Sequence, residues 1–305
     1  MSRFQSLSQH KPMRDESQRS RGPPESLTHD IEQVESSVVA FLRERVESAG
    51  ADGVVVAMSG GLDSTVTATL AVDALGPERV LGLGLPCHKT DATAATEAEV
   101  VADHLGIDFR RVQLRPLLQQ FEQHVVPALT PESDRGPTPT PDRALGHAVA
   151  RLRMVSAYYA ANRTNRLVAG TATRSELLLG YVTKYGDAAA DLFPLGDLYK
   201  AEVRVLAGHL GLPDPIVEKE PAGGIAPGRT DADDLGATYD TIDSLLYRVI
   251  EEGDPAEVAA DAVDVDETTA RRLVSMCVET AHKRRLPPVA SVGERSRQPT
   301  ATDDG

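Results

Sequence analysis

The chain of 305 residues predicts an α/β fold, a parallel sheet with helices on both faces, and three observations predict it. Short runs rich in Val and Leu alternate with stretches of helical periodicity. The runs are apolar at nearly every position rather than at every second one, as in strands buried on both faces. The intervening helices are long enough for right-handed crossovers between parallel neighbours.

Each element has a local reason. Residues 1–28 mix Ser, Gln, Arg, Pro and Glu and bury too little to offset their ordering entropy, so they read as a disordered tail before a folded unit over 29–286. From Asp30, Ile31, Val34, Val38, Leu42 and Val46 recur at helical spacing until Gly50. A strand over 53–58 runs into Ser59-Gly60-Gly61-Leu62-Asp63-Ser64, and a helix over 63–75 stops at Gly76-Pro77. A second strand is expected within 79–86, an alanine-rich helix over 91–105 and a third strand within 107–114. The prolines of 125–144 predict an irregular connection, either a lid or a linker. A helix over 144–163, a strand over 166–171 and a helix over 174–182 follow. A second loop, KEPAGGIAPGRTDADD, precedes helices over 232–252 and 266–282, and the polar end, 287–305, reads as a tail.

Composition narrows the function classes. The net charge of −14, from 46 acidic and 32 basic residues, disfavours a counterion-driven grip on a nucleic-acid backbone. Lysine is confined to Lys11, Lys89, Lys184, Lys200, Lys219 and Lys283, so arginine carries most of the positive charge. The hypothesis this balance supports is a protein kept hydrated in concentrated salt, which activity against molar salt tests. Cys87 and Cys277 form no CxxC pair, so both are expected to be reduced and structural. No apolar run approaches the roughly 20 residues that span a bilayer, and the N-terminus lacks the apolar middle of a signal peptide. A cytoplasmic protein without membrane or nucleic-acid partners is expected.

The chemistry begins at the glycine turn. A strand ending in such a turn before a helix points backbone N–H groups at the positive end of the helix dipole, where anions bind. Gly60 and Gly61 leave room for a phosphate, Ser59 and Ser64 can donate hydrogen bonds, and Asp63 is placed to hold Mg²⁺. The string SGGLDS is neither a Walker A loop nor the GxGxxG fingerprint. It resembles the loop of the ATP pyrophosphatases, which cleave ATP between its α and β phosphates and activate acceptors by adenylation.

GTATRSELLLGYVTKYGDAAADLFPLGDLYKAEVRVLAGHLGLP, residues 170–213, together with ARLRM at 150–154 and HKRRLPP at 282–288, resembles the NAD synthetase family over about 30–288. The resemblance implies the adenine nucleotide α-hydrolase-like, Rossmann-like fold with additional C-terminal helices. It implies ATP contacts at Ala57, Met58, Ser59, Gly60, Gly61, Leu62, Asp63, Ser64, Thr171, Lys200 and Ala222, and Mg²⁺ ligands at Asp63 and Glu176. It implies deamido-NAD contacts at Arg151, Lys184, Asp191, His282 and Lys283. The implied reaction is ammonia-dependent amidation of deamido-NAD by a homodimer. The roughly 30 residues before the first helix are too few for a glutaminase domain, which favours free ammonia or a separate partner.

The chain departs from the family pattern at four places. Thr173 and Arg174 replace Asn and Lys, an aromatic residue is missing near Ala226-Pro227, and Arg229 stands where Gln is usual. Ala222 lacks the usual hydroxyl, so a weaker grip on ATP is expected, which the Michaelis constant of an Ala222→Ser variant tests. Asp187 and Asp197 are left between structural and functional roles, and His88, His104 and His147 are read as ordinary histidines. Two other readings remain: an ATP pyrophosphatase with another acceptor, as in GMP synthetases or tRNA-thiolating enzymes, and a helix-turn-helix DNA binder built from 254–285.

Overall fold

The computed structural model describes residues 30–88, 91–131, 143–222 and 230–291. Helix α1, Ile31–Ser48, starts where Asp30 accepts hydrogen bonds from the Glu32 and Gln33 N–H groups at 3.2 and 3.4 Å. Strand β1, Gly53–Ala57, leads into α2, Leu62–Leu75, and β2, Val80–Gly84, into α3, Asp91–Leu105. Then come β3, Asp108–Arg111, α4, Arg115–Gln120, α5, Val126–Leu129, and α6, Arg143–Arg163. The second half opens with β4, Arg166–Ala169, followed by α7, Arg174–Leu179, and α8, Lys200–His209. It closes with α9, Asp214–Val217, α10, Asp231–Leu235, α11, Tyr239–Ile250, α12, Ala256–Val263, and α13, Glu267–Glu279.

The strands lie in the order β3-β2-β1-β4, all parallel, with Val55 opposite Leu81 on one side and Val168 on the other. Alternation along β1 divides the core. Val54 and Val56 face a cluster with α1, α2, α3 and α8, including Leu42, Val66, Leu70 and Leu206, while Val55 faces Leu118, Val149, Ala157 and Ala161 of α4 and α6. A third cluster joins Leu179 and Tyr199 to Leu235, Ile242, Leu245 and Leu273 of the C-terminal helices. Because β1 connects outward to β2 and β3 before the chain returns to β4, the sheet reverses direction between β1 and β4. The loops after those two strands therefore open into one crevice.

Three expectations are corrected. The segment entering the proline-rich stretch is helical from Arg115 to Leu129, through a π turn at Phe121–Val125. Pro116 falls in the first turn, where a missing N–H costs nothing, and Pro127 follows directly on the π turn, whose wider bonding accommodates it. The helix placed over 232–252 is two helices, divided at Gly236, whose φ is +69°. The helix after β4 stops before Gly180, at φ +61°, rather than running to residue 182. Strand β3, expected within 107–114, is the mostly exposed edge strand of the sheet. The expectations for 1–28, and for most of 125–144, 220–231 and 287–305, lie on or partly on residues outside the described ones. Cys87 and Cys277 are free thiols, and no described helix is long and apolar enough to cross a membrane.

Candidate active site

The loop after β1 is shaped by packing. Gly60 takes φ +69°, and a Cβ there would lie 2.5 Å from the Ala94 carbonyl oxygen of α3, so only glycine fits between loop and helix. Ser64 Oγ accepts from the Ser59 N–H at 3.2 Å and donates to the Gly61 carbonyl at 3.1 Å, which holds the turn closed. Gly61 begins α2 without a side-chain cap, leaving the helix N-terminus to the crevice. Met58 and Leu62 are buried beneath the loop while Ser59 is exposed at its tip.

The loop after β4 supplies the opposing wall. Thr173 caps α7 with Glu176, whose Oε2 accepts from the Thr173 N–H at 2.8 Å and its hydroxyl at 3.0 Å. Glu176 Oε1 is left to face Lys200, and Thr171 lies half-buried at the strand end. The Lys200 ammonium donates to Asp63 Oδ2 at 2.6 Å and to Glu176 Oε1 at 3.0 Å, and sits 4.9 Å from the centre of the Tyr239 ring. Lys200 is only 1% exposed. Burial alone would lower its pKa, but the Asp63 and Glu176 carboxylates outweigh that and hold it above the usual lysine value. Asp63 is pushed up to about 6, by burial first, with Lys200 opposing and Glu176 adding to the rise.

This donor set fits a hard divalent cation. Asp63 Oδ1 is buried without a hydrogen-bond partner, beside a second carboxylate close enough to share one ammonium. No cluster of three or more His, Cys, Asp or Glu side chains suited to a metal occurs among the described residues. Two carboxylates, with the other positions left to water and phosphate, is an arrangement that suits Mg²⁺ rather than a cage-bound metal.

The residues expected at the second substrate gather around the chain after α7. Arg151 of α6 donates to the Lys184 carbonyl at 3.1 and 3.2 Å, and Lys283 to the Gly180 and Val182 carbonyls at 2.7 and 3.0 Å. Asp187 lies within electrostatic reach of Glu176 and of Lys283, linking this basic set to the carboxylates. His282 is exposed, next to Lys283. The Asp191 carboxylate accepts from the Val168 N–H at 2.7 Å and the Tyr158 hydroxyl at 2.9 Å, fastening β4 to α6. Ala222 is exposed, and residues 223–229 lie outside the described ones, so the expectations on Ala226, Pro227 and Arg229 do as well.

Several residues here escaped sequence reasoning. Lys219 donates to the Gly60 carbonyl at 2.9 Å and to Glu97 at 2.5 Å, clasping the segment before the second loop onto the phosphate turn. His147 sits one turn before Arg151, with Nδ1 at 2.8 Å from the Thr183 hydroxyl. Its pKa is lowered by burial and then by the Lys283, Arg151 and Arg143 charges, so the imidazole is held toward its neutral form. Lysine scarcity was a usable signal for Lys219, whereas a histidine four residues before an arginine carries none. Arg174, one of the departures, bonds Asp197 at 2.7 Å and Glu251, and lies over the Tyr199 ring, which gives both Arg174 and Asp197 structural partners.

A glycine phosphate loop and two carboxylates, facing each other across the switch point of a parallel sheet, define a nucleotide-binding α/β protein. The family model described as NAD synthase matches residues 34–287, and the chain belongs to that family. It is 40% identical over 262 residues to the NH(3)-dependent NAD(+) synthetase of Methanosarcina acetivorans, covering 85% of this chain and 98% of that one. It is 39% identical over 263 residues to the NH(3)-dependent NAD(+) synthetase of Methanocaldococcus jannaschii, covering 86% and 98%. An NMN synthetase structure from Francisella tularensis matches with a TM-score of 0.70 at 30% identity over 86% of this chain and 99% of that one. An NH3-dependent NAD synthetase structure from Campylobacter jejuni matches at 0.69 and 26%, over 87% and 100%. The DNA-binding reading has no support: α12 and α13 bury Ala259, Ala260, Ala270 and Leu273 in the cluster with α7 and α11.

Proposed function

We propose that this chain joins ammonia to deamido-NAD, driven by cleavage of ATP to AMP and pyrophosphate. The observation that carries the proposal is the Lys200 ammonium bridging Asp63 and Glu176 where the loops after β1 and β4 meet. Residues 57–64 cradle the ATP phosphates, with Thr171 and Ala222 at the nucleotide's edges. Asp63 and Glu176 hold Mg²⁺, which when bound neutralises phosphate charge. Lys200, held between those carboxylates, and Lys219, at the Gly60 carbonyl, place two positive charges beside the turn where the phosphates would lie. Arg151, Lys184, His282 and Lys283 hold the anionic dinucleotide, with Asp191 keeping the β4–α6 wall in place.

A nicotinate carboxylate oxygen attacks the α-phosphorus of ATP, the bond to the bridging oxygen breaks, and pyrophosphate leaves with the electron pair. Ammonia then attacks the carbonyl carbon of the mixed anhydride, AMP leaves, and the nitrogen sheds one proton to give the amide. Adenylation turns a poor leaving oxygen into a good one, and holding both reactants in one crevice makes the first displacement effectively intramolecular. Exposed Val155 and Tyr159, at 67% and 70%, lie on α6 beside Arg151 and support a homodimer joined near the dinucleotide site. The reaction belongs in the cytoplasm, where ATP and deamido-NAD are supplied.

The test is an assay of the purified protein with ATP and Mg²⁺, offering deamido-NAD or nicotinate mononucleotide, and ammonium or glutamine. NAD and AMP should form from deamido-NAD with ammonium and not with glutamine. No NAD and no AMP with either nitrogen donor would reject the proposal, and preference for the mononucleotide would move it to that acceptor.

A further inference from the structure

Asp243 of α11 is fully buried, and both its carboxylate oxygens are hydrogen-bonded to α7 and α8. Its Oδ1 accepts from the Ser175 hydroxyl at 2.6 Å and its Oδ2 from the Ala201 N–H at 2.8 Å. The Ser175 oxygen in turn accepts from the Lys200 N–H at 2.9 Å. Ser175 directly precedes Glu176 and Ala201 directly follows Lys200, so one carboxylate ties together the first turns of α7 and α8. The first N–H groups of α8 are thereby taken up by side chains of α7 and α11. Burying a carboxylate is costly, and here the cost is offset by the hydrogen bonds that tie it to α7 and α8.

We propose that Asp243 is a positioning residue for the phosphate centre: it fixes the mutual register of Glu176 and Lys200, whose side chains meet 3.0 Å apart. The inference rests on the ATP-cleaving reading of that centre. Two helices only 6 and 10 residues long have little intrinsic stability, and their N-terminal turns could slide past one another. The Asp243–Ser175–Lys200 chain removes that freedom, as outer partners orient the groups that contact a metal or phosphate. Tyr239, one turn before Asp243 on the same helix, closes the other side by placing its ring against the Lys200 ammonium. Helix α11 thus holds both ends of Lys200 without touching substrate.

The experiment compares Asp243→Asn and Ser175→Ala with a control, Leu246→Ala, which empties part of the same buried cluster but breaks no bond to α7 or α8. ATP affinity is measured by calorimetry without acceptor, and kcat and both Michaelis constants are measured well below every variant's melting point. The expected result is a loss of about 10- to 100-fold in kcat and ATP affinity for Asp243→Asn and Ser175→Ala. The Michaelis constant for deamido-NAD should stay within about twofold, and Leu246→Ala should keep near-normal kcat at a comparable melting point. Near-normal kcat and ATP affinity in both network variants would overturn the inference, as would an equal loss in Leu246→Ala. If Asp243→Asn does not fold, the smaller Ser175→Ala change decides alone. Should the unaltered protein bind ATP yet form no NAD, the activity reading fails, and the ATP affinities still decide this one.

Discussion

Lys200 keeps its ammonium buried only because two carboxylates and an aromatic face surround it. Lys200→Met preserves much of the side chain's volume but leaves Asp63 and Glu176 facing each other without a counter-charge. Such a broken buried pair costs roughly 3–5 kcal/mol, to be read from urea midpoints, and added Mg²⁺ should recover part of the loss. A Lys200→Met protein as stable as the parent, or indifferent to Mg²⁺, would contradict this account of the centre. Asp243 gives a pH signature. Its carboxyl is pushed up to about 7 by burial, against the bonds from Ser175 and Ala201. Between the unfolded value of 3.8 and the folded one, the native chain binds a proton the unfolded chain has released, so this contribution favours folding at low pH and fades as pH rises through about 7. The urea midpoint should therefore fall less from about pH 5 to about pH 8 in Asp243→Asn than in the parent. Equal falls in both would remove Asp243 from the titration.

The elements that carry the site were the most legible in the sequence, because their signals are local. The helical spacing from Ile31, the apolar run before Ser59, and the stop at Gly76-Pro77 each sit beside the feature they specify. The helical stretch 126–129 was hidden because the prolines of 125–144 read as breakers, whereas the π turn at Phe121–Val125 lets the helical path carry Pro127. Which loops face one another was not legible from spacing. Asp63, Glu176 and Lys200 could be named one by one through family resemblance, but the bridge among them depends on the sheet order β3-β2-β1-β4. The contacts of Ser175, Asp243, His147 and Lys219 were not legible because their partners lie 36 to 159 positions away in the chain. The turn itself can be tested with Gly60→Ala, which places a methyl group 2.5 Å from the Ala94 carbonyl at φ +69°. It should cost about 1–3 kcal/mol of stability and raise the Michaelis constant for ATP, since α3 and the loop cannot both stay in place. Unchanged ATP kinetics would detach Gly60 from the cradle.

At the scale of the whole molecule, the net charge of −14 repels itself in dilute buffer, while the described acidic side chains of the crevice are largely paired. Molar salt screens the surface and leaves a buried cluster such as Lys200 with its carboxylates nearly untouched. Stability and turnover should therefore rise toward molar potassium chloride, and full activity in dilute buffer with loss at high salt would contradict that view. The proposed reaction brings a carboxylate of one substrate to the α-phosphorus of the other where the loops after β1 and β4 meet. The most direct measurement follows isotopically heavy oxygen from the nicotinate carboxylate of deamido-NAD through one turnover with ATP and ammonium. One labelled oxygen should appear in AMP and none in pyrophosphate. NAD formed with AMP free of label, or label in pyrophosphate, would contradict adenylation at this centre.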